Sequence, residues 1–517
     1  MITRVLSAAA ALCLLSAPAL ADGYPRSGRA IDALHPASNY ADVASGRPLA
    51  LGIMRARANG FVPSPLIQDY ANGVLQKLLR GLPLPASFQP QVRVLAAPEF
   101  SALCTPDGTI VITIGLLEQL DNEDELAFVL GHEVAHAIYR HHEKDWYKKS
   151  QYFAVVNGAA VQQIADAALV AGVASGSDIA RGLTIARHLS TLTSKVLAPQ
   201  MSRDQEDQAD ALGFDLMVRA GYDSEAALAV MDKLALQEEE AEAAARAAKE
   251  AARENNRGAG HSSSSGGGLF GGSSGGLLGG VGNIMGAVNN AMSGNWTDVA
   301  IFAFGAAVDN MSDEAVSHHP APERVKLLSS YQFTQYRDTL PAQPTPLPWA
   351  EGTRDKNGIA MTAVLAHYAA AENAAAYLAD PRQGSAESAR SEVTRSSTAP
   401  TSDHAYTQYV ASVYWDKNGS KPQSEAALQR AANGPEASWE IYSRLIDYHT
   451  ARDDWSGALK LMDQAVIRFE DSPVLLPKHI QLLVGAGRAS EANALLPKCK
   501  SYDIDELTDA CKKALNA

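Results

Sequence analysis

The chain has 517 residues, which is enough for two or three domains of roughly 150 residues each. Hydrophobic residues make up 46% of the sequence, so the composition is that of a globular protein with a sizeable core. The formal net charge is −14 and the pI is about 5.4. This charge excludes nucleic acid from the expected partners, because phosphate backbones bind basic surfaces.

The first 21 residues have the pattern of a secretory signal. Arg4 supplies a positive charge, residues 5–15 are apolar, and residues 19–21 form an A-x-A cleavage site. The apolar run is well short of the ~20 residues that a membrane span needs. We therefore predict a cleaved signal peptide over 1–21 and export to the periplasm of a Gram-negative bacterium.

Three cysteines remain after removal of the signal peptide. Export makes disulfides possible. Cys499 and Cys511 are close together near the C-terminus and could join the last helices, although the sequence leaves both the paired and the free state open. Cys104 would then be a free thiol, for which we expect a buried, apolar environment.

Hydrophobic periodicity predicts a mainly α fold with a small β-sheet, which is the α+β class. Tight-turn residues at 106–108 precede a β-branched segment, and acidic residues at 121–124 mark the start of a helix. In chain order the predicted elements are a helix over 62–82, strands over 91–97 and 109–115, a helix that follows 121–124, and a helix over 202–220.

Two changes of composition divide the chain further. A first domain over 22–350 carries an insertion at 236–296, whose start is rich in alanine and charge and whose remainder is rich in glycine and serine. Whether the insertion is a lid, a loop that makes peripheral membrane contact or a disordered segment is left open. Residues 381–402 are polar and are predicted to form a mobile linker.

Residues 403–517 are predicted to be entirely helical. Ala458 and Ala492 are 34 residues apart, as are Tyr442 and Leu476. This period is typical of tetratricopeptide helix pairs, in which small residues let two helices approach closely. We therefore predict a C-terminal domain of tetratricopeptide-like repeats.

The segment GHEVAH, residues 131–136, carries the chemistry. His132 and His136 are i and i+4 on one helix, so both imidazoles can face one cation, and Glu133 lies close enough to handle a water molecule. This is the HExxH arrangement of zinc peptidases. The competing interpretation is a pair of core histidines with satisfied hydrogen bonds, but such groups are costly on a buried helix without partners.

A catalytic zinc ion needs a third protein ligand. His142 has the spacing of the HExxHxxGxxH class, but that class needs glycine at position 139, where this chain has Tyr139. Glu206 and Asp210 are again i and i+4, so Glu206 could bind the metal while Asp210 hydrogen-bonds a ligand imidazole. We prefer Glu206 and expect one Zn²⁺ per chain.

Three segments occur in the order found in a known family: NEDELAFVLGHEVAHAIYRH, SRDQEDQADALGFDLMVRAGYD and SHHPAPERVKLL. Over roughly residues 60–330 the chain resembles the HtpX- and BepA-type zinc metallopeptidases. The resemblance implies a zincin-type metallopeptidase domain. It also implies the roles of the residues: zinc ligands His132, His136 and Glu206, the general base Glu133, and Asp210 supporting the site.

The third segment matches the family pattern HPxxxR. By this resemblance His319 faces the active site, where it either stabilises the oxyanion or occupies the open zinc position in a latent state. The adjacent His318 leaves the alignment dependent on Pro320. Arg324 is expected to pair with Glu206 or Asp210. The strand at 109–115 matches the edge strand on which the family lays an extended substrate, and a simple core strand is the alternative that stays open.

The signal peptide and the repeats make the chain most similar to BepA-like periplasmic members of the family. This implies quality control of misassembled outer-membrane proteins, with polypeptide substrates and with repeats that recruit substrates or the assembly machinery. The alternative is a chaperone or scaffold whose zinc site is plugged by His319. A cell-wall hydrolase would need a glycan-binding signature, which we do not find. Oligomeric state and cleavage specificity stay open.

Overall fold

The computed structural model describes residues 24–25, 27–47, 60–142, 201–236, 239, 321–339, 342–350, 352–379, 381–470 and 472–516. The predicted signal peptide, the glycine- and serine-rich part of the insertion, and His318, His319 and Pro320 lie outside these residues. Among the described residues, no helix is both long enough and apolar enough to cross a membrane.

Helices form most of the described chain, as the sequence predicts. The strands are β1 (Gln91–Leu95), β2 (Ala102–Cys104) and β3 (Thr109–Thr113). The helices are α1 (Ala41–Ala44), α2 (Pro65–Leu79), α3 (Ile114–Gln119), α4 (Glu123–Tyr139), α5 (Arg203–Arg219), α6 (Ala321–Gln335), α7 (Met361–Ala379), α8 (Ala386–Ser396), α9 (Ala405–Lys417), α10 (Lys421–Asn433), α11 (Trp439–Thr450), α12 (Trp455–Arg468), α13 (Leu476–Gly485), α14 (Ala489–Ser501) and α15 (Asp505–Leu515). Residues 225–236 are also helical, and short 3₁₀ turns lie at Ala30–Ala33, Pro381–Gln383 and Pro473–Leu475. The prediction of a mainly α fold with a small sheet is confirmed.

The sheet has the order β1-β3-β2, with β1 parallel and β2 antiparallel to β3. The prediction that residues 109–115 form an edge strand is wrong, because both edges of β3 are paired. All five residues of β3 are buried, which is the pattern of a central strand. The edge strands are β1 and β2, and β2 has only three residues and is therefore too short to show a period in the sequence.

The helices α4 and α5 begin at strong capping residues. The Asn122 side chain accepts a hydrogen bond from the Glu125 backbone amide at 2.9 Å, and three acidic residues occupy the first turn of α4. Ser202 and Gln205 form a reciprocal capping box at the start of α5. These caps satisfy amides that the first turn of a helix leaves free. They fix the residues at which α4 and α5 begin, and therefore which side chains of each helix share a face.

Residues 381–402 are not a mobile linker, which corrects the prediction. They contain α8, which packs against α7 and α9. Ala389, Val393 and Ser396 are at most 2% exposed. Their i, i+4, i+7 spacing gives one narrow buried face in an otherwise polar segment. The polar composition of the other residues hid this face.

The C-terminal helices pack in sequence, each of α9 to α14 against the next one. Ala458 and Ala492 are fully buried, as close helix approach requires. The assignment of these helices to tetratricopeptide repeats stays a prediction. An ion pair between Arg93 Nη2 on β1 and Glu436 Oε1 at 3.1 Å ties this region to the sheet.

A disulfide between Cys499 and Cys511 joins α14 to α15, and their Cα atoms are 6.6 Å apart. Cys104 is a buried free thiol. We predict that replacing both Cys499 and Cys511 with alanine destabilises the last two helices by about 2–3 kcal/mol, because a closed loop of this length restricts the unfolded chain. Hydrogen exchange of residues 489–515 measures the change. Reductant should speed exchange in the wild type and have no further effect on the variant.

Candidate metal centre

Three side chains from two helices converge at one point. His132 and His136 lie on α4, and Glu206 lies in the first turn of α5. The Nε2 atoms of the two imidazoles are 3.1 Å apart, and the Glu206 carboxylate oxygens lie 3.6 Å from His132 Nε2 and 3.7 Å from His136 Nε2. A metal ligand atom can be a histidine nitrogen, a cysteine sulfur or a carboxylate oxygen. Among the residues that the structure describes, this is the only group of three or more such side chains whose ligand atoms all lie within 4.8 Å of one another.

The spacing fits a tetrahedral zinc ion. With zinc–ligand distances of about 2.0–2.2 Å, the ligand atoms should be roughly 3.3–3.5 Å apart. The measured separations, from 3.1 to 3.7 Å, bracket these values. Two imidazole nitrogens and one carboxylate oxygen are also the donor set of catalytic zinc sites, which keep a fourth position open. The residues present therefore fit a zinc ion with an open position.

A buried aspartate–arginine pair supports this cluster. Asp210 Oδ1 lies 2.8 Å from Nδ1 of His132, and Arg324 donates to both Asp210 oxygens, from Nε at 2.9 Å and from Nη2 at 2.7 Å. Arg324 Nη1 is also 3.4 Å from Glu206 Oε2. A carboxylate only accepts hydrogen bonds, so Asp210 holds a proton on Nδ1 of His132, whose Nε2 faces His136 and Glu206.

The charge of Asp210 is stabilised despite its complete burial. Burial alone would raise the pKa of this carboxyl, but the charge of Arg324 and the contacts with His132 hold the pKa below its usual range. Asp210 is therefore ionised at neutral pH. The roles that the sequence predicts for Glu206, Asp210 and Arg324 require these side chains to lie close together, and the structure places them in contact.

Glu133 is adjacent to His132 on α4 and has the properties of a proton carrier. Burial raises the pKa of its carboxyl to about 7, and the charge of Glu206 acts in the same direction. A carboxyl group with a pKa near the working pH can both accept and return a proton. This behaviour suits the general base that the sequence predicts at this position.

The end of α4 separates His142 from the ligands. Arg140 adopts a left-handed conformation with φ of 56°, so the helix stops and the chain turns. His142 then lies with Nε2 2.7 Å from the carbonyl oxygen of Cys104 on β2 and does not join the cluster. The alternative that made His142 the third ligand is therefore not supported by the geometry. The role of His319, which lies outside the described residues, stays a prediction.

Two glycines bring the ligand helices together, and the sequence analysis missed them. A Cβ atom on Gly213 of α5 would lie 2.7 Å from the backbone nitrogen of His132, and one on Gly131 would lie 2.9 Å from the Gly213 carbonyl oxygen. The backbones of α4 and α5 therefore touch beside the first ligand. The signal available in the sequence was a glycine inside each helical motif, in LGHEVAH and in ALGFD.

We predict that Gly213→Ala separates the two helices and weakens zinc binding. Overpacking of this kind costs about 1–3 kcal/mol, so the melting temperature should also fall. The matched control is Gly73→Ala on α2, where a Cβ would meet nothing within 4 Å. That variant should bind zinc normally and gain about 0.5–1 kcal/mol from its helix propensity. Equal zinc affinity in Gly213→Ala and the wild type would contradict the close-contact account.

These features define a metallopeptidase of the zincin type. It has a buried HExxH helix, a glutamate from a second helix, and an aspartate–arginine pair that supports the first histidine. Residues 66–332, just over half of the chain, match the profile described as Peptidase family M48. The chain belongs to this family, which implies a catalytic metal, typically zinc.

The chain is also similar to named metallopeptidases. It is 32% identical to mitochondrial metalloendopeptidase OMA1 of Arabidopsis thaliana over 144 residues, which cover 28% of this chain and 25% of that protein. It is 36% identical to the mitochondrial metalloendopeptidase OMA1 of Bos taurus over 50 residues, or 10% of each chain. The chain thus spans a quarter or less of the length of these relatives.

Proposed function

We propose that this protein is an exported zinc-dependent endopeptidase that degrades misfolded or misassembled proteins of the bacterial envelope. The observation that carries the proposal is the converged cluster of His132, His136 and Glu206 with Glu133 beside it. Membership of Peptidase family M48 supports the reaction class. The substrates, the compartment and the partners are parts of the proposal.

The chain's own residues perform the proton transfers. A zinc ion held by the cluster supplies Lewis acidity toward water and the scissile carbonyl. Glu133 takes a proton from the attacking water and delivers it to the leaving amine. Asp210 keeps His132 oriented, and Arg324 offsets the negative charge of Asp210 and Glu206. Deprotonated Glu133 is available near neutral pH because the pKa of its carboxyl is about 7.

Strand β2 is our candidate for binding the substrate backbone. Its hydrogen bonds to β3 use Ser101 and Thr105, so the peptide group of Ala102 faces away from β3, whereas the Cys104 carbonyl oxygen contacts His142. β2 also packs against α4, which carries the ligand histidines. An extended peptide can pair with such an edge whatever its side chains are, and this suits broad specificity.

The proposed compartment is the periplasm. The predicted signal peptide supports export, and the disulfide between Cys499 and Cys511 suits an oxidising environment. We propose that the C-terminal helices recruit substrates or components of the outer-membrane assembly machinery.

The test is cleavage of an outer-membrane β-barrel protein, presented either denatured or folded in detergent, by the purified mature protein. We expect cleavage of the denatured form alone and its loss with a zinc chelator. The second candidate is the chaperone with a site plugged by His319, which the HPxxxR pattern motivates. His319→Ala separates the two: a gain of proteolysis supports the plug. Binding of the denatured protein without cleavage, in both the wild type and His319→Ala, would overturn the endopeptidase proposal.

A further inference from the structure

The second ligand histidine has its own support, from His141 and Gln208, to which no role is assigned above. His136 Nδ1 lies 3.0 Å from Nδ1 of His141, and His141 Nε2 lies 3.2 Å from Oε1 of Gln208. The three side chains therefore form a continuous line from α4, through the turn after it, to α5. His132 has the Asp210 carboxylate in the equivalent position.

Several contacts hold His141 in this line. The left-handed turn at Arg140 brings the His141 amide back to the His136 carbonyl oxygen at 3.0 Å. Gln205 Nε2 donates to the His141 carbonyl oxygen at 3.1 Å. The Tyr139 ring stacks on the His141 ring, with 5.3 Å between the ring centroids. The His141 imidazole is thus held by hydrogen bonds to its backbone, by the Tyr139 ring on one face, and by Gln208 at Nε2.

The donor and acceptor atoms of these three side chains determine which ring nitrogens carry protons. Gln208 Oε1 can only accept, so the His141 proton lies on Nε2. A neutral imidazole carries only one proton, so Nδ1 of His141 is then a bare acceptor toward His136. His136 must then donate from Nδ1. Its Nε2 is left without a proton and faces the position between His132 and Glu206.

We infer that His141 and Gln208 are positioning residues that hold His136 in the tautomer and orientation needed to bind the metal. This inference rests on the proposed metal site and deepens it. Partners that orient a ligand histidine typically contribute about 10- to 100-fold to metal affinity. The two halves of the site then have different supports, a charged one at His132 and a neutral one at His136.

The experiment compares zinc affinity, measured by competition with a chromogenic chelator, across substitutions in the full mature chain. We expect His141→Ala and Gln208→Leu to bind zinc about 10- to 100-fold more weakly. Gln208→Glu should rescue binding, because a carboxylate still accepts the His141 proton. The double variant with His141→Ala and Gln208→Leu should bind zinc no more weakly than His141→Ala alone, because both residues act on His136 through the same contacts. His142→Ala is the matched control and should bind zinc normally, since its imidazole contacts the Cys104 carbonyl instead.

A second measurement judges the inference without zinc. Long-range ¹H–¹⁵N spectra of the zinc-free protein with ¹⁵N-labelled histidine should show the His136 proton on Nδ1, and Gln208→Leu should lose this preference. A His136 proton on Nε2, or zinc affinities of His141→Ala and Gln208→Leu equal to the wild type, would overturn the inference. Absence of zinc binding in the wild type would instead overturn the proposed function, and the spectra would still decide the tautomer.

Discussion

Replacing Glu206 with alanine is expected to weaken zinc binding by more than about 100-fold, beyond the effect of losing a supporting residue. The variant keeps His132 and His136 but loses the oxygen ligand, so a tetrahedral ion would have two protein ligands instead of three. Asp210 still pairs with Arg324 through two hydrogen bonds, so the guanidinium does not become an unpaired buried charge. The fold should therefore survive, and elemental analysis of the purified variant should find little zinc.

The control for this variant is Asp204→Ala. Asp204 lies in the same first turn of α5 but is exposed, so its loss changes the charge of the turn and leaves the cluster intact. Zinc content equal to the wild type is expected there. If Glu206→Ala retained a full complement of zinc, the third ligand would have to be another residue.

Glu133→Gln is expected to bind zinc as the wild type does and to lose about 10²- to 10⁴-fold in kcat, which is the usual contribution of a general base. The amide has the size of the carboxyl group but cannot take a proton from water. Because Glu133 is not part of the ligand cluster, the metal content should be unchanged. Cleavage of a quenched fluorescent peptide measures kcat and KM separately.

Glu118→Gln is the matched control for Glu133→Gln. Partial desolvation and the nearby charge of Glu372 also raise the pKa of the Glu118 carboxyl to about 7, but this residue is exposed on α3. The same chemical change there should leave peptide cleavage intact. Wild-type kcat in Glu133→Gln, still abolished by a chelator, would assign the proton transfers to another group.

The sequence predicts the parts of the centre that follow from spacing along one helix. The i, i+4 rule puts His132 and His136 on one face, and it puts Glu206 and Asp210 one turn apart. The resemblance of the third segment also associates Arg324 with these acids, and the structure places it against both. Their roles in binding metal stay predictions until they are tested on the protein.

Contacts between elements could not be predicted in this way. The touching backbones at Gly131 and Gly213 depend on how α4 and α5 cross, which no single-helix pattern encodes. The line from His136 to Gln208 depends on a left-handed turn at Arg140, a conformation that non-glycine residues adopt uncommonly. The central position of β3 depends on β2, whose three residues carry no period.

The most direct test of the zinc centre is a crystal structure of the mature protein with anomalous diffraction collected above and below the zinc absorption edge. The account predicts one zinc peak per chain, about 2 Å from Nε2 of His132, Nε2 of His136 and a carboxylate oxygen of Glu206. A peak bound by other residues, or no peak at this position in protein that elemental analysis shows to contain zinc, would contradict it.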